Sequence, residues 1–162
     1  MLPNPNGLLE SHLAGLWSGV RINSQKIRVL IVDDHAIIRE GISALINSQP
    51  DMLVAGEAID GEEAVQQFKA LQPDIAVADL NLPVICGIEA IGLIRAEFPA
   101  ARFIVITALD GLDCIRQAFA AGAQAFLHKD MLRGELLSAI RAVHEGRQYI
   151  PPAIRERLKQ LE

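Results

Sequence analysis

Apolar positions along this chain follow two rhythms that take turns. Short β-branched or alanine-rich runs at Ile27–Val32, Met52–Ala58, Ile75–Ala78, 102–106 and 125–128 are too brief for surface helices and read as buried strands. Between them, apolar residues recur at helical spacing: Ile37, Ile38, Ile42, Leu45 and Ile46; Ala64, Val65, Phe68 and Leu71; Ile91, Leu93, Ile94 and Phe98; a stretch from Gly111 to Ala121; and Leu136, Leu137, Ile140 and Val143. Stop signals sit where each helix should end, with Pro73, Pro99, Gly122 and Gly146 at or just beyond the last periodic residue. Five strand-helix units with short connections predict an α/β fold, a parallel sheet with right-handed crossovers and five flanking helices.

Two segments lie outside that pattern. Residues 1–25 open with Pro, Asn and Gly and then place Leu8, Leu9, Leu13, Leu16, Trp17 and Val20 on one helical face. They read as an N-terminal extension that frays or packs loosely, with a short docking helix as the alternative. Residues 26–149 are the folded domain. After Tyr149-Ile150-Pro151-Pro152, residues 150–162 carry a short stripe of Ile154, Leu158 and Leu161 that predicts a linker helix.

Composition narrows the classes. A chain of 162 residues with 51% apolar content has enough material for one core, domains clustering near ~100–150 residues. Net charge of −5 without a basic block argues against nucleic-acid binding by this chain and against a membrane-surface role. No signal-peptide pattern and no apolar run near the ~20 residues that span a bilayer are found, so a cytoplasmic location is expected. Cys86 and Cys114 lack metal-ligand spacing and are expected as free thiols, with a redox role for Cys86 as the minor alternative. His35 and His128 have no partner at metal-binding spacing and are set aside as ligands.

The strand ends carry the chemistry. Asp79 alone could equally open a turn before Pro83. However, four of the five strands end on groups suited to phosphate chemistry, namely Asp33-Asp34, Asp79, Thr107 and Lys129. In a parallel sheet these ends share one edge, with neighbouring strands ~4.8 Å apart, so the groups converge in one crevice. Three carboxylates within roughly 5 Å repel by about 3 kcal/mol per pair at an effective dielectric of about 20, and call for a cation. All-oxygen ligands at a shallow site favour Mg²⁺. One carboxylate can then attack phosphorus, while Lys129 and the Thr107 hydroxyl meet the phosphoryl oxygens.

Residues Lys26 to about Gln148 resemble a response-regulator receiver domain of two-component signalling. The resemblance rests on Asp33-Asp34, on Asp79 followed by Leu80-Asn81 and Pro83, on Thr107-Ala108 and on Lys129. The runs Val29-Leu30-Ile31-Val32-Asp33-Asp34-His35 and Phe126-Leu127-His128-Lys129-Asp130, with Arg39-Glu40-Gly41, are similar to the NarL/FixJ (LuxR-type) branch. It implies a flavodoxin-like (CheY-like) doubly wound sheet of order 2-1-3-4-5. By position, Asp79 is expected as phosphoacceptor, and Asp33, Asp34, Asp79 and the Asn81 backbone carbonyl as the Mg²⁺ ligands. Thr107, Lys129 and the aromatic Phe126 are expected as the switch set, and Asp79, Lys129 and Thr107 as the groups that promote transfer.

The same resemblance implies a sensor histidine kinase as donor, leaves homodimerisation on phosphorylation open, and makes the chain a catalyst only of its own phosphorylation and dephosphorylation. A helix-turn-helix output would need two further helices after Glu162, so DNA contact is expected only through an output domain absent from this chain. A stand-alone receiver acting by protein contact is the alternative. An aspartyl-phosphate phosphohydrolase would want an acid where Asn81 stands, and a flavin module would want a hydroxyl-rich loop where Asp33-Asp34 stand. Three departures from the pattern are Cys86 where many relatives carry Asp, Val84 where Gly is common, and Leu109 at a position expected to tune phosphoryl lifetime.

Overall fold

The computed structural model describes residues 25–108 and 111–160. The N-terminal stripe from Leu8 to Val20, Leu109 and Leu161 lie outside the described residues. Five strands, β1 (Ile27–Val32), β2 (Met52–Ala58), β3 (Ile75–Asp79), β4 (Phe103–Thr107) and β5 (Ala125–His128), pair in parallel in the order β2-β1-β3-β4-β5. This is the expected flavodoxin-like order. The helices are α1 (Ala36–Asn47), α2 (Gly61–Leu71), α3 (Gly87–Glu97), α4 (Leu112–Ala121), α5 (Leu132–His144) and α6 (Pro152–Lys159). A single 3₁₀ turn, Lys129–Met131, joins β5 to α5 and has no counterpart in the periodicity.

Alternation along the strands divides the core in two. Leu30, Val32, Ala76, Ala78, Phe103, Val105 and Phe126 face α2, α3 and α4, against Phe68, Ile91, Ile94 and Ile115. Val29, Ile31, Val77, Ile104, Ile106 and Leu127 face α1 and α5, against Ile42, Ile46, Leu136, Ile140 and Val143. Strands apolar on both faces are what a parallel sheet covered by helices requires.

Local signals set the helix ends that frame the site. Asp60 caps α2, its carboxylate accepting the Glu63 N–H at 2.7 Å, with Glu62 and Glu63 favourably placed against the helix dipole. Gly87 opens α3 beside the tip of β3, donating its N–H to the Leu80 carbonyl at 2.9 Å. A Cβ there would stand 2.3 Å from the Asp79 carbonyl oxygen, so only glycine lets the chain turn this close to the strand.

The segment after α5 returns to the body. Tyr149 bridges Ala125 on the β5 edge, its N–H donates to the Gln124 carbonyl at 2.9 Å, and its hydroxyl donates to Glu135. Pro151 then turns the chain and α6 packs down, with Ile154 only 2% exposed in the same cluster as Phe126 and Ile115. Periodicity shows the stripe that makes α6 amphipathic but not the surface that receives it. Among the described residues no helix is long and apolar enough to cross a membrane.

Candidate functional site: an acidic cluster at the strand ends

The site is built by register. Val32 pairs with Ala78, so the residues that follow, Asp33 and Asp79, emerge side by side from β1 and β3. Asp79 pairs with Ile106, which puts Thr107 one residue further along the neighbouring strand, and Thr107 in turn pairs with His128. Lys129 follows directly. The convergence expected from the strand ends is therefore present for Asp33, Asp34, Asp79, Thr107 and Lys129.

Asp33 is fully buried, Asp79 is 2% exposed and Thr107 is buried, an unusual set of polar groups inside a sheet edge. The Lys129 side chain reaches both carboxylates, its Nζ 2.8 Å from Asp33 Oδ2 and 2.8 Å from Asp79 Oδ2. Toward Asp79 it donates a hydrogen bond; toward Asp33 the contact is a close ion pair without hydrogen-bond alignment, so Asp33 Oδ2 has no directed partner. The other oxygens are held: the Asn81 N–H donates to Asp79 Oδ1 at 3.1 Å, and the His35 N–H donates to Asp33 Oδ1 at 2.8 Å. Burial alone would lower the Lys129 pKa, but the Asp33 and Asp79 contacts outweigh it and hold the ammonium above its ordinary value.

His35 is a member the sequence did not supply. Its Nδ1 lies 2.8 Å from Asp33 Oδ1, 3.1 Å from Asp34 Oδ1 and 3.4 Å from Lys129 Nζ. Asp33, Asp34, His35 and Asp79 each offer a ligand atom, all within 4.8 Å of one another. Spacing rules look for histidines paired with other histidines or cysteines. Here the partners are the two preceding carboxylates and Asp79, and the local signal was the run Asp33-Asp34-His35 itself. Arg39 braces the same loop, its guanidinium donating to the Asp33 backbone carbonyl at 2.8 Å.

The donor set fits a hard divalent cation. Three carboxylates against one ammonium leave the cluster short of positive charge, and the buried, undirected Asp33 Oδ2 is the atom a cation would complete. Asp34, about one-third exposed, leaves the cluster open to water on one side, as Mg²⁺ prefers.

The loop after β3 carries the departures. The Ile85 N–H donates to the Pro83 carbonyl at 2.8 Å across Val84, whose φ is +66°. That three-residue turn explains why glycine suits this position: a β-branched residue there is strained. Cys86 is exposed at the start of α3 and Cys114 is half-buried in α4; both are free thiols.

On the far side, Phe126 is 2% exposed and packs with Ile115 and Ile154. A cavity of about 160 Å³ lies between Ile115, Phe126 and Met131 of the body and Ala153, Ile154 and Arg157 of α6. The acidic cluster and α6 are thus connected through β4 and β5.

Residues 29–141 match the family described as the response regulator receiver domain. The chain belongs to that family. Among curated proteins it is 38% identical over 125 residues to the uncharacterized transcriptional regulatory protein YxjL of Bacillus subtilis, covering 77% of this chain and 57% of that one. It is 31% identical over 132 residues to the nitrate/nitrite response regulator protein NarL of Escherichia coli, covering 82% and 61%. A crystal structure of a LuxR-family two-component response regulator from Aurantimonas superposes with a TM-score of 0.80 at 38% identity, over 85% of this chain and all of that one. The receiver is therefore of the NarL/LuxR type. The chain spans less than two-thirds of the length of these curated relatives.

Proposed function

We propose that this receiver accepts a phosphoryl group on Asp79 from a sensor histidine kinase and relays it as a conformational change to a transcriptional output. The observation that carries this reading is Lys129 Nζ standing 2.8 Å from both buried carboxylates, Asp33 and Asp79. A bridge of that kind is poised to be redistributed when the charge on one carboxylate changes.

The chemistry follows from the groups present. An Asp79 oxygen attacks the phosphorus of a phosphohistidine, a P–O bond forms as the P–N bond breaks, and the imidazole leaves with its electron pair and takes up a proton. Asp33, Asp34 and the backbone carbonyl of Asn81 would hold Mg²⁺, which when bound neutralises charge on the phosphoryl oxygens. Lys129 already touches Asp79 Oδ2 and moves onto the new phosphoryl oxygens as a charge-assisted donor. The Thr107 hydroxyl is drawn toward the same group, and water attack on the acyl phosphate reverses the modification. The domain acts catalytically only on itself.

Phe126 couples that event to the outer face. Its ring packs against Ile115 and, through the shared cluster, Ile154 of α6, so a displacement of Thr107 and β4 alters the seat of α6. We assign residues 150–160 as the connection through which a transcriptional output is addressed. With Mg²⁺ and beryllofluoride, amide shifts in nuclear magnetic resonance should change at Asp79, Thr107 and Lys129 and extend to Phe126 and Ile154. Changes confined to the acidic cluster would remove the relay; none at all would remove the assignment.

A further inference from the structure

α1 opens on His35, which holds the N-cap position with extended backbone, φ −91° and ψ 111°, yet makes no side-chain capping bond. Residues at that position are normally Ser, Thr, Asp or Asn, whose oxygen accepts an N–H of the first turn. The imidazole is instead turned back over the strand ends, with Nδ1 2.8 Å from Asp33 Oδ1 and 3.1 Å from Asp34 Oδ1. Arg39, one turn further along the helix, holds the loop in that shape. Its guanidinium donates to the Asp33 carbonyl at 2.8 Å and its N–H to the His35 carbonyl at 3.1 Å.

Two observations make this more than a run of acidic residues. The Lys129 ammonium stands 2.8 Å from Asp33 Oδ2, 2.8 Å from Asp79 Oδ2 and 3.4 Å from His35 Nδ1. Carboxylate oxygens from two strand ends and the imidazole nitrogen thus converge on one point that a cationic group already holds. Asp33, moreover, is fully buried, and its Oδ2, which faces that point, has no aligned hydrogen-bond donor. The donor spacing is also that of a coordination shell, since neighbouring ligands ~2.1 Å from an octahedral ion lie ~3.0 Å apart. The His35 nitrogen lies 2.8 and 3.1 Å from its two carboxylate neighbours.

A nitrogen in the set changes which ions it suits. Mg²⁺ is a hard ion that takes oxygen and keeps its water, whereas imidazole favours the borderline first-row ions, whose affinity for a given site rises from Mn²⁺ to Ni²⁺. We infer that His35 is a metal ligand through Nδ1, and that with Asp33, Asp34 and Asp79 it makes the cluster a site for a borderline divalent transition ion. Such an ion is held more tightly than Mg²⁺, which can use the carboxylates alone. The inference rests on the cluster being a cation site, as proposed above, and adds a ligand and a class of ion to it.

Calorimetric titration of the full chain, stripped of metal by chelation and dialysis, tests this with Ni²⁺ and with Mg²⁺. Ni²⁺ should bind more tightly than Mg²⁺, and excess Mg²⁺ should compete with it. His35→Gln alters a ring that is 59% exposed and caps nothing, so the fold is retained. It should weaken Ni²⁺ by about tenfold or more, the scale on which metal sites respond even to loss of a supporting group, and should not weaken Mg²⁺. With one equivalent of Mn²⁺, electron spin echo modulation should show an imidazole nitrogen bound to the ion and should lose it in His35→Gln, a readout that a merely structural role would not move. Ni²⁺ held no more tightly than Mg²⁺, Ni²⁺ that Mg²⁺ does not displace, or a nitrogen signal missing from the parent or surviving in the variant would overturn the inference and leave the Mg²⁺ site standing. Binding of neither ion would overturn both.

Discussion

Lys129→Met keeps an unbranched apolar stem and deletes one ammonium, and its cost can be worked from the geometry. The Lys129 side chain is 11% exposed, with Nζ 2.8 Å from a carboxylate oxygen of each of Asp33 and Asp79. At an effective dielectric of about 20 each contact is a gross attraction of about 6 kcal/mol, and desolvation of the three groups offsets several kcal/mol of the sum. Removing one partner from such a buried cluster typically costs about 3–5 kcal/mol, because the carboxylates left behind have no counter-charge. Urea unfolding followed by circular dichroism, at neutral pH in the presence of a chelator, should show that loss as a lower midpoint with an unchanged slope. Magnesium should then restore more stability to the variant than to the parent, since the ammonium no longer competes for the cluster; at a free concentration 100 times its dissociation constant the gain is about 2.7 kcal/mol. The raised Lys129 pKa fixes the pH window: its contribution is complete below the ordinary lysine value of 10.5 and is lost as pH rises through the higher folded value. A variant within about 0.5 kcal/mol of the parent in chelator, the range of an ordinary surface substitution, would show that the ammonium does not hold the two carboxylates together.

Two other outcomes follow from single residues. Tyr149, the only tyrosine, has its pKa raised to about 12 by its hydrogen bond to Glu135 and by partial burial. Its contribution to stability is full below about pH 10 and lost between about 10 and 12, so phenolate absorbance should appear late and Glu135→Gln should bring it earlier; titration at the ordinary value in both proteins would rule the contact out. Val84→Gly should stabilise the domain by about 1 kcal/mol, relief of a left-handed β-branched residue exceeding the extra entropy of glycine in the unfolded chain. Val84 is 74% exposed, so no packing is lost, and a destabilised variant in urea unfolding would contradict the strain.

The strands were legible because each is a short apolar run ending on a polar residue, and a parallel sheet leaves no other way to cover both faces. That same feature made the cluster legible: once β1, β3, β4 and β5 run in one direction, Asp33, Asp79, Thr107 and Lys129 must meet. Where the chain crosses itself, the sequence is silent. His35 joins the carboxylates through the conformation of one loop, and Ile154 lands beside Phe126 because Tyr149 pairs with the β5 edge, neither of which leaves a periodic trace. Val84 shows an intermediate case. Its departure from glycine was visible, but the cost of that departure needs the φ of +66°.

The proposed role of Asp79 as phosphoacceptor can be tested on the covalent product. The full chain is incubated with acetyl phosphate and Mg²⁺, the acyl phosphate is reduced with borohydride, and the resulting homoserine is located by peptide mass spectrometry. Homoserine should appear at position 79 alone, dependent on the divalent cation and absent from Asp79→Asn. Homoserine at Asp33 or Asp34 instead, or no reduced residue after full incubation, would contradict it.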